Sequence, residues 1–182
     1  METDRLKQVI RRNYNADSHR LENTAEHSWQ ITLMALSLAE HSDETIDTFK
    51  VLKMLLIHDL VEIDAGDTYL YGEDDTGEKE KKELAAAQRI FGILPADQQQ
   101  AYQQLWEEFE AIGSPEARFA KAIDRLMPIL NNYYSDGRSW KENGISREQV
   151  IRKCRGINDG SEALWEFALG IINQAQEKGY LR

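Results

Sequence analysis

The sequence contains few of the residues that cross-link a chain or interrupt helices. Its 182 residues include one cysteine and three prolines. Because Cys154 cannot form an internal disulfide, a disulfide-stapled secreted fold is excluded. Residues 1–5 are mostly charged or polar and lack the apolar segment of a signal peptide, so we expect a cytoplasmic protein.

Long apolar runs and an excess of basic charge are also missing. No uninterrupted apolar stretch approaches the roughly 20 residues that a membrane-spanning helix needs, so we expect no membrane association. The 22 Lys and Arg residues are outnumbered by 32 Asp and Glu, which gives a net charge of −10. Proteins that bind long nucleic acids concentrate Lys and Arg, so no such partner is expected. A small phosphorylated ligand remains compatible with this charge, because a metal and a few local cations override the global sign.

Apolar residues recur with helical spacing through most of the chain, and sustained alternation of the strand kind is absent. We therefore predict an all-α fold. A chain of this length is large enough to bury a core as a single domain, residues 1–182. The expected helices cover residues 3–13, 25–42, 45–60, 77–92, 96–112, 115–137, 146–157 and 161–179.

An imidazole and a carboxylate stand side by side in an otherwise aliphatic segment. His58 and Asp59 follow a run of leucine and isoleucine and precede Leu60 and Val61. Burying a polar group without a partner costs roughly 2–7 kcal/mol, and burying an ion costs more. A bound metal ion would compensate for this cost, so the pair predicts a metal site.

Two further side chains can complete such a site. His27 shares a helical stripe with three apolar residues, so it is expected to face inward. Asp124 lies on a later helix, where the alternative is a surface ion pair with Lys121 or Arg125. Two imidazoles and two carboxylates suit Mn, Fe, Co, Ni or Zn better than Ca or Cu(I).

Acidic residues beyond the pair offer groups for proton transfer. Glu62 follows His58 by four residues and shares its helix face, so it can reach the site without being a ligand. Hydrolysis of a phosphate ester needs one group to handle the water proton and one to protonate the departing oxygen. Glu62 and Asp67 are the candidates for these tasks.

The stretch 63–76 breaks the helical pattern and predicts a loop. Asp67 and Thr68 follow directly on the motif, and Gly66 permits a close approach of the backbone to a ligand. Both residues are therefore candidates for substrate contact. The acidic residues farther along this loop are expected to form a solvated linker: Glu73, Asp74 and Asp75.

The complete pattern resembles the HD-domain superfamily of metal-dependent phosphohydrolases, whose ligands follow the order H…HD…D. Residues 58–67 have the form HDxxExxxGD, which is similar to the 5′-deoxynucleotidase branch. Arg12, Glu22-Asn23 and Glu26-His27-Ser28 extend the resemblance upstream. It implies a metal-binding core at about residues 12–130 with C-terminal helices, 146–179, packed on it. It also implies one divalent ion, Co, Mn, Ni, Zn, Fe or Mg, with four ligands: His27, His58, Asp59 and Asp124.

The resemblance assigns roles to further residues. The glutamate of HDxxE falls on Glu62 and the aspartate of the GD step on Asp67. Arg12 matches the arginine that contacts phosphate and sugar, a task suited to a planar guanidinium that makes bidentate bonds. Asn13 departs from the pattern, because the characterised bacterial deoxynucleotidases have there a tryptophan that helps to exclude a ribose 2′-hydroxyl. Selectivity for deoxyribose is therefore not implied.

The activity expected from these residues is hydrolysis of (deoxy)ribonucleoside 5′-monophosphates to nucleoside and phosphate by a metal-activated water. One alternative is hydrolysis of another phosphate ester or of a guanosine pyrophosphate alarmone, as related HD domains do. Another is a protein that binds metal and nucleotide without turnover. The presence of both Glu62 and Asp67 favours an enzyme, because a metal site alone needs neither. Resemblance to nucleotidases that dimerise makes a homodimer an additional expectation.

Overall fold

The computed structural model describes residues 1–17, 19–72 and 76–182, and within these ranges the chain is mostly helical. The prediction of an all-α fold is confirmed. The expected linker residues Glu73, Asp74 and Asp75 lie outside the described residues. The α-helices are α1 Thr24–Leu38, α2 Thr48–Ile57, α3 Glu62–Ala65, α4 Thr76–Phe91, α5 Ala96–Ala111, α6 Pro115–Tyr134, α7 Arg138–Asn143, α8 Arg147–Cys154 and α9 Glu162–Glu177. Short 3₁₀ helices cover Glu2–Gln8, Ala39–His41, His58–Val61 and Arg155–Asp159.

The predicted helix over residues 3–13 is wrong in its second half. The 3₁₀ helix is followed there by strand β1, Ile10–Tyr14, which pairs antiparallel with β2, Leu21–Asn23. The side chains that β1 turns inward are Arg11 and Asn13, which are less exposed than their neighbours. Because these inward residues are polar, the strand carries no alternation of apolar residues that would have revealed it.

The hairpin determines where α1 begins. Ile10 of β1 pairs with Asn23, the last residue of β2, and Asn23 is also the N-cap of α1. Its side chain accepts the backbone N–H of Glu26 at 3.0 Å, and the Glu26 carboxylate accepts the backbone N–H of Asn23 at 3.2 Å. This reciprocal capping box fixes the first turn of the helix, and His27 lies in that turn.

The third predicted helix, residues 45–60, ends earlier than expected. Its α-helical part stops at Ile57, and His58–Val61 continue as a 3₁₀ helix. The His58 side chain donates to the carbonyl of Leu55, the acceptor that residue 59 would use in a continued α-helix. The adjacent His58 and Asp59 side chains meet at this break in the α-helix, where His58 Nε2 lies 3.0 Å from Asp59 Oδ1.

A short helix was missed between residues 135 and 145. The sequence predicts that one helix extends to residue 137, but α6 ends at Tyr134 and the six-residue α7 follows. Gly137 precedes α7 with φ of 67°, a left-handed conformation that glycine adopts without strain. Six residues are too few for a helical repeat to show, and Trp140, which is fully buried, fixes α7 to the core.

The main core lies between α6 and the helices packed around it, α1, α2 and α9. Internal packing of the C-terminal helix was expected, and α9 does bury one face against α6. Phe167 of α9 is half exposed. The buried side chains of α9 are Leu164, Ala168, Ile171, Ile172 and Ala175.

Among the described residues, no helix is long and apolar enough to cross a bilayer.

Ser161 connects the start of α9 to the turn after α1, and its removal should destabilise the fold. Its hydroxyl donates to the carbonyl of His41 at 2.6 Å and accepts the backbone N–H of Leu164 at 3.1 Å. Ser161→Ala removes a helix cap and leaves the partly buried carbonyl of His41 without its donor, so we expect a loss of about 1–3 kcal/mol in the free energy of unfolding. Urea denaturation measures this loss. The exposed Ser37→Ala is the matched control and should change stability by less than about 0.5 kcal/mol.

Candidate metal centre and its cavity

Four side chains from three separate segments converge at one point. His27 comes from the first turn of α1, His58 and Asp59 from the 3₁₀ helix after α2, and Asp124 from the middle of α6. Ligand atoms of the two histidines and Asp59 lie within 4.8 Å of one another. Asp124 Oδ1 lies 3.0 Å from His27 Nε2 and 3.6 Å from His58 Nε2. The structure thus brings all four predicted ligands together.

The His58 ring is held in one orientation. Its Nδ1 lies 2.9 Å from the carbonyl oxygen of Leu55, and since a carbonyl only accepts, Nδ1 carries the hydrogen of this bond. Nε2 then faces Asp59 Oδ1 at 3.0 Å. Within the described part of the chain, this buried Nε2 makes no hydrogen bond of good geometry. A buried ring nitrogen that lies close to two carboxylates without a well-oriented hydrogen bond has the arrangement of a metal ligand.

Glu22 orients the other histidine. Its carboxylate is 1% exposed, and Oε2 lies 3.4 Å from His27 Nδ1, on the side of the ring away from Asp124. Asn131 of α6 donates to Glu22 Oε1 at 3.0 Å and holds it in place. A carboxylate behind a histidine fixes the ring and raises its basicity as a ligand. The sequence contained Glu22 within its motif, but sequence reasoning gave it no role.

The neighbouring carboxylates favour the protonated form of both imidazoles in the metal-free protein. Burial lowers the pKa of His58, but the charges of Asp59 and Asp124 outweigh it and raise this pKa to about 10. Burial and the charge of Arg11 lower the pKa of His27, but hydrogen bonding to Asp124 and Glu22 and the charge of Asp124 together outweigh them and raise this pKa. Burial raises the pKa of Asp59 and of Asp124, yet the imidazoles hold both below the usual range.

The donor set fits one divalent cation. Two imidazole nitrogens and two carboxylates satisfy the preference of borderline metals for mixed nitrogen and oxygen ligands. The Nε2 atom of His58 supports this fit, because it is buried without a well-oriented hydrogen bond and a cation there would satisfy it. Ions of this class require deprotonated ligands, so binding and proton release are coupled.

Binding of a divalent cation by the metal-free protein is therefore expected to release protons at neutral pH. Because the pKa of His58 lies near 10, its imidazole is charged below that pH and must lose its proton to bind a metal. Metal affinity should consequently rise as the pH rises toward 10. Calorimetric titration in buffers of different ionisation enthalpy counts the released protons. An affinity that does not change with pH between neutrality and this pKa would show that the imidazoles are already neutral.

Glu62 lies beside the four ligands. Thr24 Oγ1 donates to its Oε2 at 2.9 Å, and Glu62 is 9% exposed. Burial and the neighbouring charge of Asp59 raise the pKa of Glu62 to about 9, so the carboxyl holds a proton at neutral pH in the metal-free protein. A divalent cation nearby would favour its ionised form. Glu62 can therefore exchange a proton at the edge of the centre.

Asp67 lies near the four ligands because the chain changes direction at Gly66. Gly66 has φ of 78° and ends α3, a conformation that a side-chain-bearing residue would adopt only with strain. Burial raises the pKa of Asp67 despite the charge of Arg11, whose Nη1 lies 3.6 Å from Asp67 Oδ1. Thr68 is exposed and lines the adjoining cavity.

The two consecutive arginines of β1 point in different directions. Arg12, the predicted phosphate contact, is exposed, lines the cavity and lies 5.3 Å from the Tyr69 ring centroid. Arg11 points into the centre and donates to Asp59 Oδ2 at 3.0 Å. Sequence reasoning placed Arg11 only in a general basic cluster and missed this contact. The strand alternation of β1 would have revealed it, had the strand been recognised.

The centre opens into a cavity of about 500 Å³. This volume falls in the range of about 300–1,000 Å³ that is typical of small-molecule sites. His58, Asp59, Glu62 and Asp124 lie on its wall, so a bound molecule can reach the centre directly. Its outer wall comes mainly from β1, the segment after Gly66, α4 and α6, with one residue each from α5 and α8.

Comparison with known proteins shows related sequences and structures. A sequence model described as HD domain matches residues 3–165. The 5′-deoxynucleotidase HDDC2 of Danio rerio is 31% identical over 109 residues, which cover 60% of this chain and 53% of that protein. The 5′-deoxynucleotidase hdd1 of Schizosaccharomyces pombe is 24% identical over 164 residues, covering 88% and 73%. The chain spans about half the length of the HDDC2 relatives that it matches.

A solved structure extends the similarity over nearly the whole chain. The crystal structure of a predicted metal-dependent phosphohydrolase from Magnetospirillum magnetotacticum has a TM-score of 0.93 and 46% sequence identity. The match covers 99% of this chain and 90% of that one. The fold is thus shared with a protein described as a predicted metal-dependent phosphohydrolase.

Proposed function

Because the chain belongs to the HD-domain family, we propose that it is a metal-dependent 5′-nucleotidase that acts on (deoxy)ribonucleoside 5′-monophosphates. One observation carries the proposal: the four candidate ligands meet beside a cavity, and three of them, His58, Asp59 and Asp124, line its wall. The acids Glu62 and Asp67 line the same wall. A metal site with only a structural purpose needs neither an open cavity nor two additional carboxyl groups.

The charge of the outer cavity wall supports an anionic substrate. The protein as a whole carries a net charge of −10. Among the described residues that line the cavity outside the centre, six are basic and three are acidic, so positive charge predominates locally. This local reversal of sign favours a phosphate ester. The basic residues are Arg12, Lys79, Lys82, Lys121, Arg125 and Lys153, and the acidic ones are Glu78, Glu83 and Glu110.

Each group of the site has a role in the proposed hydrolysis. The divalent ion held by the four ligands would supply Lewis acidity and lower the pKa of water toward neutrality. Glu62, held by the hydroxyl of Thr24, accepts or returns a proton at its free oxygen. Asp67 is the second acid, placed to protonate the departing ribose oxygen. Arg12 and Thr68 bind the phosphoryl and sugar oxygens at the cavity wall.

Asn13 suggests that the sugar pocket accepts ribose as well as deoxyribose. It lines the cavity, and its carboxamide oxygen accepts from Asn132 Nδ2 at 3.1 Å, which leaves the amide nitrogen to donate to a sugar hydroxyl. Asparagine is also smaller than the tryptophan expected from the resemblance. We predict kcat/KM values for dAMP and AMP within about tenfold of each other. A deoxy preference beyond about a hundredfold would show that another residue excludes the 2′-hydroxyl.

A matrix of metals and substrates tests the proposed function. Metal-free protein is resupplied with Mn, Co, Ni, Zn, Fe or Mg and incubated with 5′- and 3′-mononucleotides and with a guanosine pyrophosphate alarmone. Release of inorganic phosphate from the 5′-mononucleotides supports the proposal. Release of pyrophosphate selects the alarmone reaction, and a nucleotide-induced rise in thermal stability without turnover in any metal selects a binding protein.

We further propose that residues 1–182 form one HD domain and that this domain forms a homodimer. The packing of α9 against α6 supports a single unit that includes the C-terminal helices. Exposed apolar side chains on α1 and α9, including Trp29, Leu33 and Phe167, support association. Sedimentation equilibrium gives the mass in solution, and a mass of about 21 kDa at all concentrations would contradict the dimer.

A further inference from the structure

Arg11 is surrounded by acidic side chains of the centre. Its side chain is 11% exposed. Its Nη1 lies 3.0 Å from Asp59, 3.6 Å from Asp67 and 4.0 Å from Glu62, and its Nε lies 3.4 Å from Glu22. These four carboxylates come from the 3₁₀ helix after α2, the loop after Gly66, α3 and β2. One guanidinium therefore joins β2 to the continuous stretch of chain that carries Asp59, Glu62 and Asp67.

The two carboxylate oxygens of Asp59 face two different groups, the His58 imidazole and the Arg11 guanidinium. Its Oδ1 is directed toward His58 Nε2 at 3.0 Å, on the side of the four ligands. Its Oδ2 accepts a hydrogen bond from Arg11 Nη1, also at 3.0 Å. A carboxylate that bridges two cations through its two oxygens is the arrangement used in two-metal hydrolases, in which the ions lie about 3.5–4 Å apart. Here a guanidinium stands on one side of the bridge.

We propose that the guanidinium of Arg11 takes the place of a second divalent cation and restricts the centre to one metal ion. The oxygen atoms around it belong to carboxylates, which are the donors that Mn²⁺ and Mg²⁺ prefer. An arginine is always charged at physiological pH, so this positive charge is permanent and needs no ion from solution. A guanidinium forms no coordinate bond to Glu62 or Asp67, so both carboxyl groups stay available for proton transfer. The inference rests on the proposed metal centre.

The number of bound metal ions tests this inference independently of activity. Metal-free protein is titrated with Mn²⁺, and the bound metal is measured by elemental analysis and by electron paramagnetic resonance, which detects spin coupling between neighbouring Mn²⁺ ions. We expect one equivalent in the wild type, one in Arg11→Lys, and a second, spin-coupled equivalent in Arg11→Ala. The matched control is Arg12→Ala, which removes the neighbouring exposed arginine and should still bind one equivalent.

The possible results separate failure of this inference from failure of the proposed function. A folded Arg11→Ala that binds one equivalent without spin coupling overturns the role of Arg11 and leaves the metal centre intact. A wild type that binds two coupled ions overturns it as well, whatever the variants do. If Arg11→Ala does not fold, Arg11→Gln, which preserves most of the side-chain volume, carries the test. A wild type that binds no Mn²⁺, Co²⁺ or Zn²⁺ contradicts the metal centre, and the proposed function with it.

Discussion

Replacement of Asp59 by alanine should lower kcat/KM for 5′-mononucleotides by at least about 10³-fold, which is about 4 kcal/mol of transition-state stabilisation. Asp59 is a proposed metal ligand through Oδ1 and the partner of Arg11 through Oδ2. The variant loses a negative ligand and leaves the Arg11 guanidinium without its closest partner. Metal content should therefore fall together with the rate. Phosphate release and elemental analysis measure the two losses on the same sample.

Asp64→Ala is the matched control for this substitution. Asp64 lies in α3, five residues after Asp59, but it is exposed and accepts from Arg89 Nη2 at 2.9 Å on the outer surface. Exposed ion pairs contribute about 0–1 kcal/mol, so Asp64→Ala should keep its metal and its rate. Full metal content and wild-type phosphate release in Asp59→Ala would refute the assignment of the centre.

Glu62→Gln should lower kcat by about 10²–10⁴-fold while the metal content stays at the wild-type value. Glutamine has the shape of glutamate and can still accept the hydrogen bond from Thr24, but it cannot exchange a proton. The comparison separates a residue that transfers protons from one that binds metal. Steady-state kinetics at saturating metal, with elemental analysis of the same preparation, gives both quantities.

The control for Glu62→Gln is Glu107→Gln on the exposed face of α5, where the carboxylate accepts from Gln103 at 2.8 Å. This change should leave kcat unaltered. A wild-type kcat in Glu62→Gln would mean that another group handles the proton. Loss of metal in the same variant would make Glu62 a ligand instead.

The convergence of the four candidate ligands could be predicted from the sequence because polar residues that are costly to bury lie in apolar segments. His58 and Asp59 interrupt an aliphatic segment, and His27 lies on an otherwise apolar helical stripe. Such positions need compensation, and a shared metal provides it for all of them. The resemblance to HD-domain sequences added Asp124, which periodicity alone would leave as a surface residue. The structure places these four side chains at one point.

The positions of the residues around the four ligands could not be predicted from the sequence in the same way. On a helix over residues 3–13, Arg11 and Arg12 would differ by about 100° in direction, and nothing in the sequence decides which one faces inward. The strand β1 settles this through its alternation, which turns Arg11 to the centre and Arg12 to the cavity rim. That strand exists because β2 pairs with it, a tertiary contact that local propensity does not encode. Glu22 was overlooked for the same reason, since its role depends on the strand β2, which directs its side chain toward His27.

Phosphate release from a 5′-mononucleotide by metal-free protein, before and after addition of Mn²⁺ or Co²⁺, tests the central claim most directly. The proposed function predicts no release before the addition and a rate that rises with added metal and saturates near one equivalent per chain. Release at the same rate without any metal, or no release with any of the six metals, would contradict it.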